Sequence, residues 1–183
     1  MKTINVILLI VSIVIVLLVF FIIMFKYYNE RIQLLIKRLE NSEKDFVEKL
    51  KNKYNILIRM INIIENRYKT NSITFDEVKK IKIEDLATLK NENLFNKCYK
   101  EIIEIKEDNR KVREIKSFRE VIEEYNSNEL YLISLRTYYN KYTLEYNNLI
   151  KKIPYNIVST LKHYKMKSLL EGNTIEDEIN MEV

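Results

Sequence analysis

Residues 118–154 read FREVIEEYNSNELYLISLRTYYNKYTLEYNNLIKKIP. Phe118, Tyr125, Leu132, Tyr139, Tyr146 and Ile153 recur every seven residues. Val121, Leu135, Tyr142 and Leu149 form a companion row, with Asn128 as its polar member. Alternating steps of three and four put these side chains on one stripe of an α-helix, so the stretch predicts about five heptads of helix. Pro154 should end it, because proline cannot continue the amide ladder and disfavours helix at the residue before it. In 183 residues there is one glycine, Gly172, and one proline, Pro154. A β-rich fold needs many tight turns made from those residues, so the chain reads as all-α, a few long helices joined by few turns.

The same reading extends in both directions. Ile32, Ile36, Leu39, Glu43, Phe46, Leu50, Lys53, Leu57, Met60 and Ile64 also follow steps of four and three, with Glu43 and Lys53 the polar exceptions. They predict a helix of about forty residues whose seam needs a partner, in this chain or on a second copy. A turn is expected within Thr70–Asp76, with Thr74 and Glu77 as the capping box of a second helix. Leu94, Cys98 and Ile102 give that helix a face reaching Ile105, whereas Lys90 to Asn93 reads as an interruption and Glu107 to Arg110 as a turn. After Pro154 a short helix is expected from Tyr155 to about Leu170. Short turns between long helices predict antiparallel packing into one bundle.

Upstream lies INVILLIVSIVIVLLVFFIIMF, residues 4–25, in which only Asn5 and Ser12 are polar and none is charged. As a helix it is about 30 Å long or slightly more, the thickness of a bilayer's hydrocarbon core. It ends in large residues, not the small ones of a cleavage site, so it reads as an uncleaved anchor continuous with the seam helix. Tyr27 and Tyr28 stand where interfacial aromatics belong. The organisation expected is an anchor over 1–25, a helical bundle domain over 26–170 and an acidic, disordered tail over 171–183. Lys26, Arg31, Lys37, Arg38 and Lys44 follow the span and only Lys2 precedes it. The positive-inside rule then puts the C-terminal domain in the cytoplasm and the N-terminus outside.

The region from Glu129 to Val158 resembles the LemA family of bacterial membrane proteins, whose signature pairs a Glu with an Arg seven residues on. It continues with two Tyr-Asn pairs seven apart, an aliphatic residue and a Pro. The matching residues are Glu129, Arg136, Tyr139-Asn140, Tyr146-Asn147, Ile150, Pro154 and Asn156, and Phe118 also fits. Residues 50–61, LKNKYNILIRMI, resemble the family's first soluble helix, with Lys53, Asn55 and Ile58 where the family usually has Arg, Asp and Pro. The resemblance implies a membrane-anchored helical bundle and no particular reaction. The candidate interaction or structural residues are Glu129, Arg136, Tyr139, Asn140, Tyr146, Asn147, Pro154 and Asn156. One reading has the Tyr rings filling the bundle, while Glu129, Arg136 and the two amides bond to the neighbouring helix and fix its register. The other is a polar groove that receives a partner peptide or helix.

Recognisable catalytic chemistry is missing. No glycine-rich loop can cradle phosphates, and one histidine, His163, cannot build an HExxH metal site. His163 reads as a surface residue and Cys98, on an apolar face, as a buried structural thiol. The expectation is therefore a non-enzyme without cofactor or metal. Residues 26–170 hold 30 basic and 21 acidic residues, a net of +9, whereas residues 171–183 carry five acids and no base. A basic domain tethered to a bilayer faces anionic headgroups. The basic residues alternate with acidic ones instead of forming a stripe, which argues against nucleic acid. The expected role is an adaptor or scaffold that binds a protein partner near the membrane. The alternative is a homo-oligomeric coiled-coil structural protein of the cell envelope or division site, joined through the Ile32–Ile64 seam.

Overall fold

The computed structural model describes residues 2–67, 72–82 and 89–172, and helix is the only regular structure among them. The order is α1 (Lys2–Arg67), α2 (Ile73–Lys79), α3 (Leu89–Asp108), α4 (Arg110–Arg113), α5 (Lys116–Leu149) and α6 (Tyr155–Lys162). The fold is all-α, with α1, α3 and α5 as the long helices and α6 as the short C-terminal one. Neither glycine nor proline interrupts α1, so the apolar run passes into the seam without a break. Residues 173–183 of the acidic tail lie outside the described residues.

Several boundaries differ from the sequence expectation. The N-cap of α2 is Ser72, whose hydroxyl accepts from the Phe75 amide at 3.2 Å, while Thr74 is buried inside the helix. Ser72 satisfies a first-turn donor, and Thr74 two residues on is already committed to the helix. Lys90 to Asn93 does not interrupt a helix but lies within α3. Glu92 there sits in the first turn, where the helix dipole favours a carboxylate, and it pairs with Arg136. The expected turn at Glu107–Arg110 is present: Asn109 caps α4 by accepting from the Lys111 amide at 3.2 Å. α5 ends at Leu149, ahead of Pro154, and Ile153 is 81 % exposed, so it is not a core member of the heptad row. α6 stops at Lys162, well before Leu170. His163 takes the left-handed conformation at φ 56°, and the amides of His163 and Tyr164 turn back to the carbonyls of Thr160 and Ser159. That Schellman closure satisfies the last carbonyls and releases a segment without regular structure from Tyr164 onward.

The chain divides into two compact units, Met1–Glu40 with Lys141–Leu169 (unit 1) and Asn41–Asn140 with Leu170–Val183 (unit 2). Within unit 1, Tyr28 meets Tyr155, Arg31 reaches Glu145, and Arg38 lies over Tyr142. Arg31 to Arg38 on α1 runs against Glu145 to Tyr142 on α5, so these two helices pack antiparallel. Unit 2 repeats the pattern: Lys49 lies over Tyr131, Lys53 pairs with Glu129, and Arg59 pairs with Glu124. The core of unit 2 is built from Leu57, Met60 and Ile64 of α1, Phe75 of α2, Phe95 and Cys98 of α3, Val112 of α4 and Phe118 of α5. Burial of such side chains is worth roughly 1.5–3 kcal/mol each.

The expected seam of α1 is buried within the chain, with two substitutions of register. Leu35 is fully buried where Ile36 was expected, and Ser42 is buried where Glu43, which is exposed, was expected. On α5 the row of Phe118, Tyr125, Leu132, Tyr139 and Tyr146 is buried, but the companion row is not its main partner. Ile122, Arg136, Thr143 and Ile150, the row one turn on, are buried instead, while Val121, Leu135, Tyr142 and Leu149 are half-buried at its edge.

Candidate functional site

The eight residues singled out by the sequence fall into both units. Glu129, Arg136, Tyr139 and Asn140 belong to unit 2; Tyr146, Asn147, Pro154 and Asn156 belong to unit 1.

In unit 2 the pattern is two buried cations, each met by a carboxylate. The ammonium of Lys53 is fully buried, 2.6 Å from a Glu129 carboxylate oxygen, and donates to Asn96 Oδ1 at 2.9 Å. It also lies 5.6 Å from the centre of the Tyr125 ring. Arg136, 1 % exposed, pairs with Glu92 and stacks over the Phe46 ring at 5.2 Å. Gly172, at φ +109°, packs against that guanidinium so closely that a Cβ would come within 2.8 Å of Arg136 Cζ. The sole glycine is therefore placed where a side chain would collide with a buried arginine. Tyr139 is buried, and Asn128 donates to the Lys49 carbonyl at 3.1 Å. Desolvation shapes the acidity of this core. It pushes the Cys98 thiol up to about 12, with the Glu101 charge adding to it, and it raises the Tyr125 phenol, with Glu129 adding there. Tyr99, stacked on Tyr125 at 4.0 Å, is also raised by burial, against a hydrogen bond to Asn126 that lowers it.

The asparagines do something the sequence did not reveal. In unit 2, Asn140 Nδ2 donates to the Leu170 carbonyl at 3.0 Å and its Oδ1 accepts from the Leu170 amide at 2.8 Å. In unit 1, Asn147 repeats this on Lys167, with distances of 2.8 and 2.9 Å. Tyr146 donates its hydroxyl to the Lys165 carbonyl at 2.9 Å, and burial raises its phenol, with Tyr164 adding to the shift. The amides thus hold an extended segment and not a neighbouring helix. A helix has spent its amides and carbonyls on itself, whereas extended backbone offers both groups of a residue to one carboxamide.

Pro154 precedes α6 across a cis Ile153–Pro154 bond and lines an apolar cavity in unit 1. Asn156 donates its amide to the Lys152 carbonyl at 2.9 Å, and its buried Oδ1 has no partner among the described residues. His163 is exposed. Among the described residues no group of three or more His, Cys, Asp or Glu could hold a metal ion.

Sequence reasoning missed Lys53, Glu92, Asn96 and Gly172 as parts of this arrangement. Lys53 had announced itself as a charge inside an apolar seam. The others carried no local signal. A separate cavity of about 570 Å³ in unit 2 is lined by Lys49, Asn52, Asn55, Ile56, Arg59, Glu124, Ser127, Asn128 and Tyr131.

The N-terminal part of α1 is long and apolar enough to cross a membrane, and its apolar stretch is not buried in the protein. With the bundle described above, this fits a membrane-anchored helical protein. The chain belongs to the LemA family, whose family model matches residues 42–183. No curated protein and no solved structure matches it.

Proposed function

We propose that the protein is a membrane-anchored adaptor without catalytic activity, which presents unit 2 to a protein partner in the cytoplasm. The observation that supports this reading is the open cavity of about 570 Å³ in unit 2, whose lining is mixed polar and apolar. Among the described residues Asn52, Asn55 and Ser127 have donors and acceptors without a partner, Tyr131 adds a ring, and Arg59 and Glu124, paired with each other, add charge of both signs. Such a lining suits a polar peptide segment. The Tyr-Asn face of α5 is not free for that role, because Asn140 and Asn147 are bonded to the chain's own extended segment. The seam of α1 is likewise buried within the chain, which favours the adaptor reading over the oligomeric coiled coil.

A photo-crosslinking residue at Asn52 or Ser127, in the full chain in its membrane, tests this. A discrete protein adduct is expected, and it should disappear with Asn55→Ala plus Arg59→Ala at unchanged thermal stability. Absence of any adduct across growth states would remove the adaptor reading. Orientation is tested by Ser117→Cys, which should resist an impermeant maleimide until cells are lysed.

A further inference from the structure

α6 carries more apolar surface than unit 1 covers. Val158 is buried, but Ile157 and Leu161, four residues apart on one face, are 45 % and 61 % exposed, and Ile153 just before the helix is 81 % exposed. Single exposed apolar residues are ordinary; a row of them on a short helix calls for a cover. The cations beside that row are Lys151, Lys152, Lys162 and Lys165, all exposed. From residue 151 to 170 there are five lysines and no acid. The acids elsewhere in unit 1 include Glu30 and Glu145, which lie within 4.0 Å of Lys26 and Arg31.

The position of α6 says what the cover is. Pro154, Ile157 and Val158 line an apolar cavity of about 140 Å³ together with Phe21, Phe25 and Tyr28 of α1. The rings of Tyr28 and Tyr155 meet edge to face at 4.6 Å. Those α1 residues are the last turns of the apolar run and its aromatic rim. A span of 22 residues is about 33 Å long, so its final turn reaches the boundary between acyl chains and headgroups. α6 is packed at that level.

We propose that α6 is an interfacial helix. Ile153, Ile157 and Leu161 enter the acyl boundary of the bilayer that α1 crosses, and Lys151, Lys152, Lys162 and Lys165 bind its anionic phospholipid headgroups. This rests on the membrane-anchored reading. The test uses the full chain with Ile157→Cys, Leu161→Cys or, in the middle of the span, Ser12→Cys, each carrying an environment-sensitive fluorophore. Cys98, which is buried, is replaced by serine in each. The protein is reconstituted in phosphatidylcholine vesicles with or without phosphatidylglycerol and probed with nitroxide lipids of graded depth.

The Ser12 label should be quenched by deep nitroxides in both vesicles. The Ile157 and Leu161 labels should be quenched by shallow nitroxides, and more so with phosphatidylglycerol. Replacing the four lysines by glutamine should lower the inserted-to-free ratio about fivefold per lysine in the anionic vesicles. An embedded Ser12 label with aqueous labels at Ile157 and Leu161 would overturn the proposal alone and leave the face to a protein partner. Equal quenching in both vesicles, unchanged by the lysine replacements, would overturn the headgroup contact. An aqueous Ser12 label would overturn the anchor and the proposal together.

Discussion

Two stretches of α1 have similar side chains and opposite fates. Leu57, Met60, Ile61 and Ile64 are all fully buried, whereas Leu8, Ile13, Leu17 and Ile22 are each about half exposed or more. Nothing in the local helix separates them, since both lie in one helix free of glycine and proline. What differs is the cover: α2 to α5 provide apolar side chains for the Leu57–Ile64 stretch, and none of the described residues buries Leu8, Ile13, Leu17 or Ile22. Hydrophobicity therefore specifies that a surface must leave water, and the surrounding residues decide whether protein or lipid removes it.

The comparison can be broken most directly at Leu57. Leu57→Ala is expected to lower the stability of unit 2 by about 2–5 kcal/mol, from lost transfer energy and the cavity left behind. A urea titration of the full chain in micelles measures it, and a loss below about 1 kcal/mol would mean that this stretch is not packed as described. Next in size is Glu92→Gln, which leaves the Arg136 guanidinium buried without its carboxylate. Removing one partner of a buried pair costs about 3–5 kcal/mol at the upper end, and the slight exposure of Glu92 brings the expected loss toward 3. Glu92→Gln combined with Arg136→Met should recover much of that loss, which separates charge from packing.

Smaller effects sharpen the same contrast at the C-terminal segment. Asn147→Ala removes two hydrogen bonds, about 1–2 kcal/mol in all, and hydrogen exchange at the Lys167 amide should quicken while amides of the α3 core do not change. Alkaline pH should act on the core and at Tyr146, whose phenol burial also raises. Cys98 is held up to about 12 and the Tyr125 phenol is raised, so on unfolding both regain their ordinary acidity and release protons. Stability is then constant below the ordinary thiol range and falls as pH rises from there toward 12, read as a drop in urea midpoint. Smallest is Leu17→Ala, expected to leave the urea midpoint of unit 2 unchanged, because Leu17 contacts no core.

The sequence by itself determined the all-α class, the long apolar N-terminal helix, the buried Phe118–Tyr146 row and the buried Cys98. Each of these is a property of periodicity or of a run of like residues, which a single helix displays without reference to its neighbours. Tertiary structure alone decided the rest. Arg136 and Lys53 are inside where Glu92 and Glu129 meet them, and the row of α5 that carries Arg136 takes the centre in place of the apolar companion row. α3 continues through Lys90 to Asn93, where the residues show no apolar pattern, and α6 stops at His163, where no glycine marks an end. The Tyr-Asn motif was legible as one face of a helix, but its use was not. An asparagine amide bonds whatever backbone is left unpaired within reach, and only the folded chain brings the extended residues Lys167 and Leu170 to it.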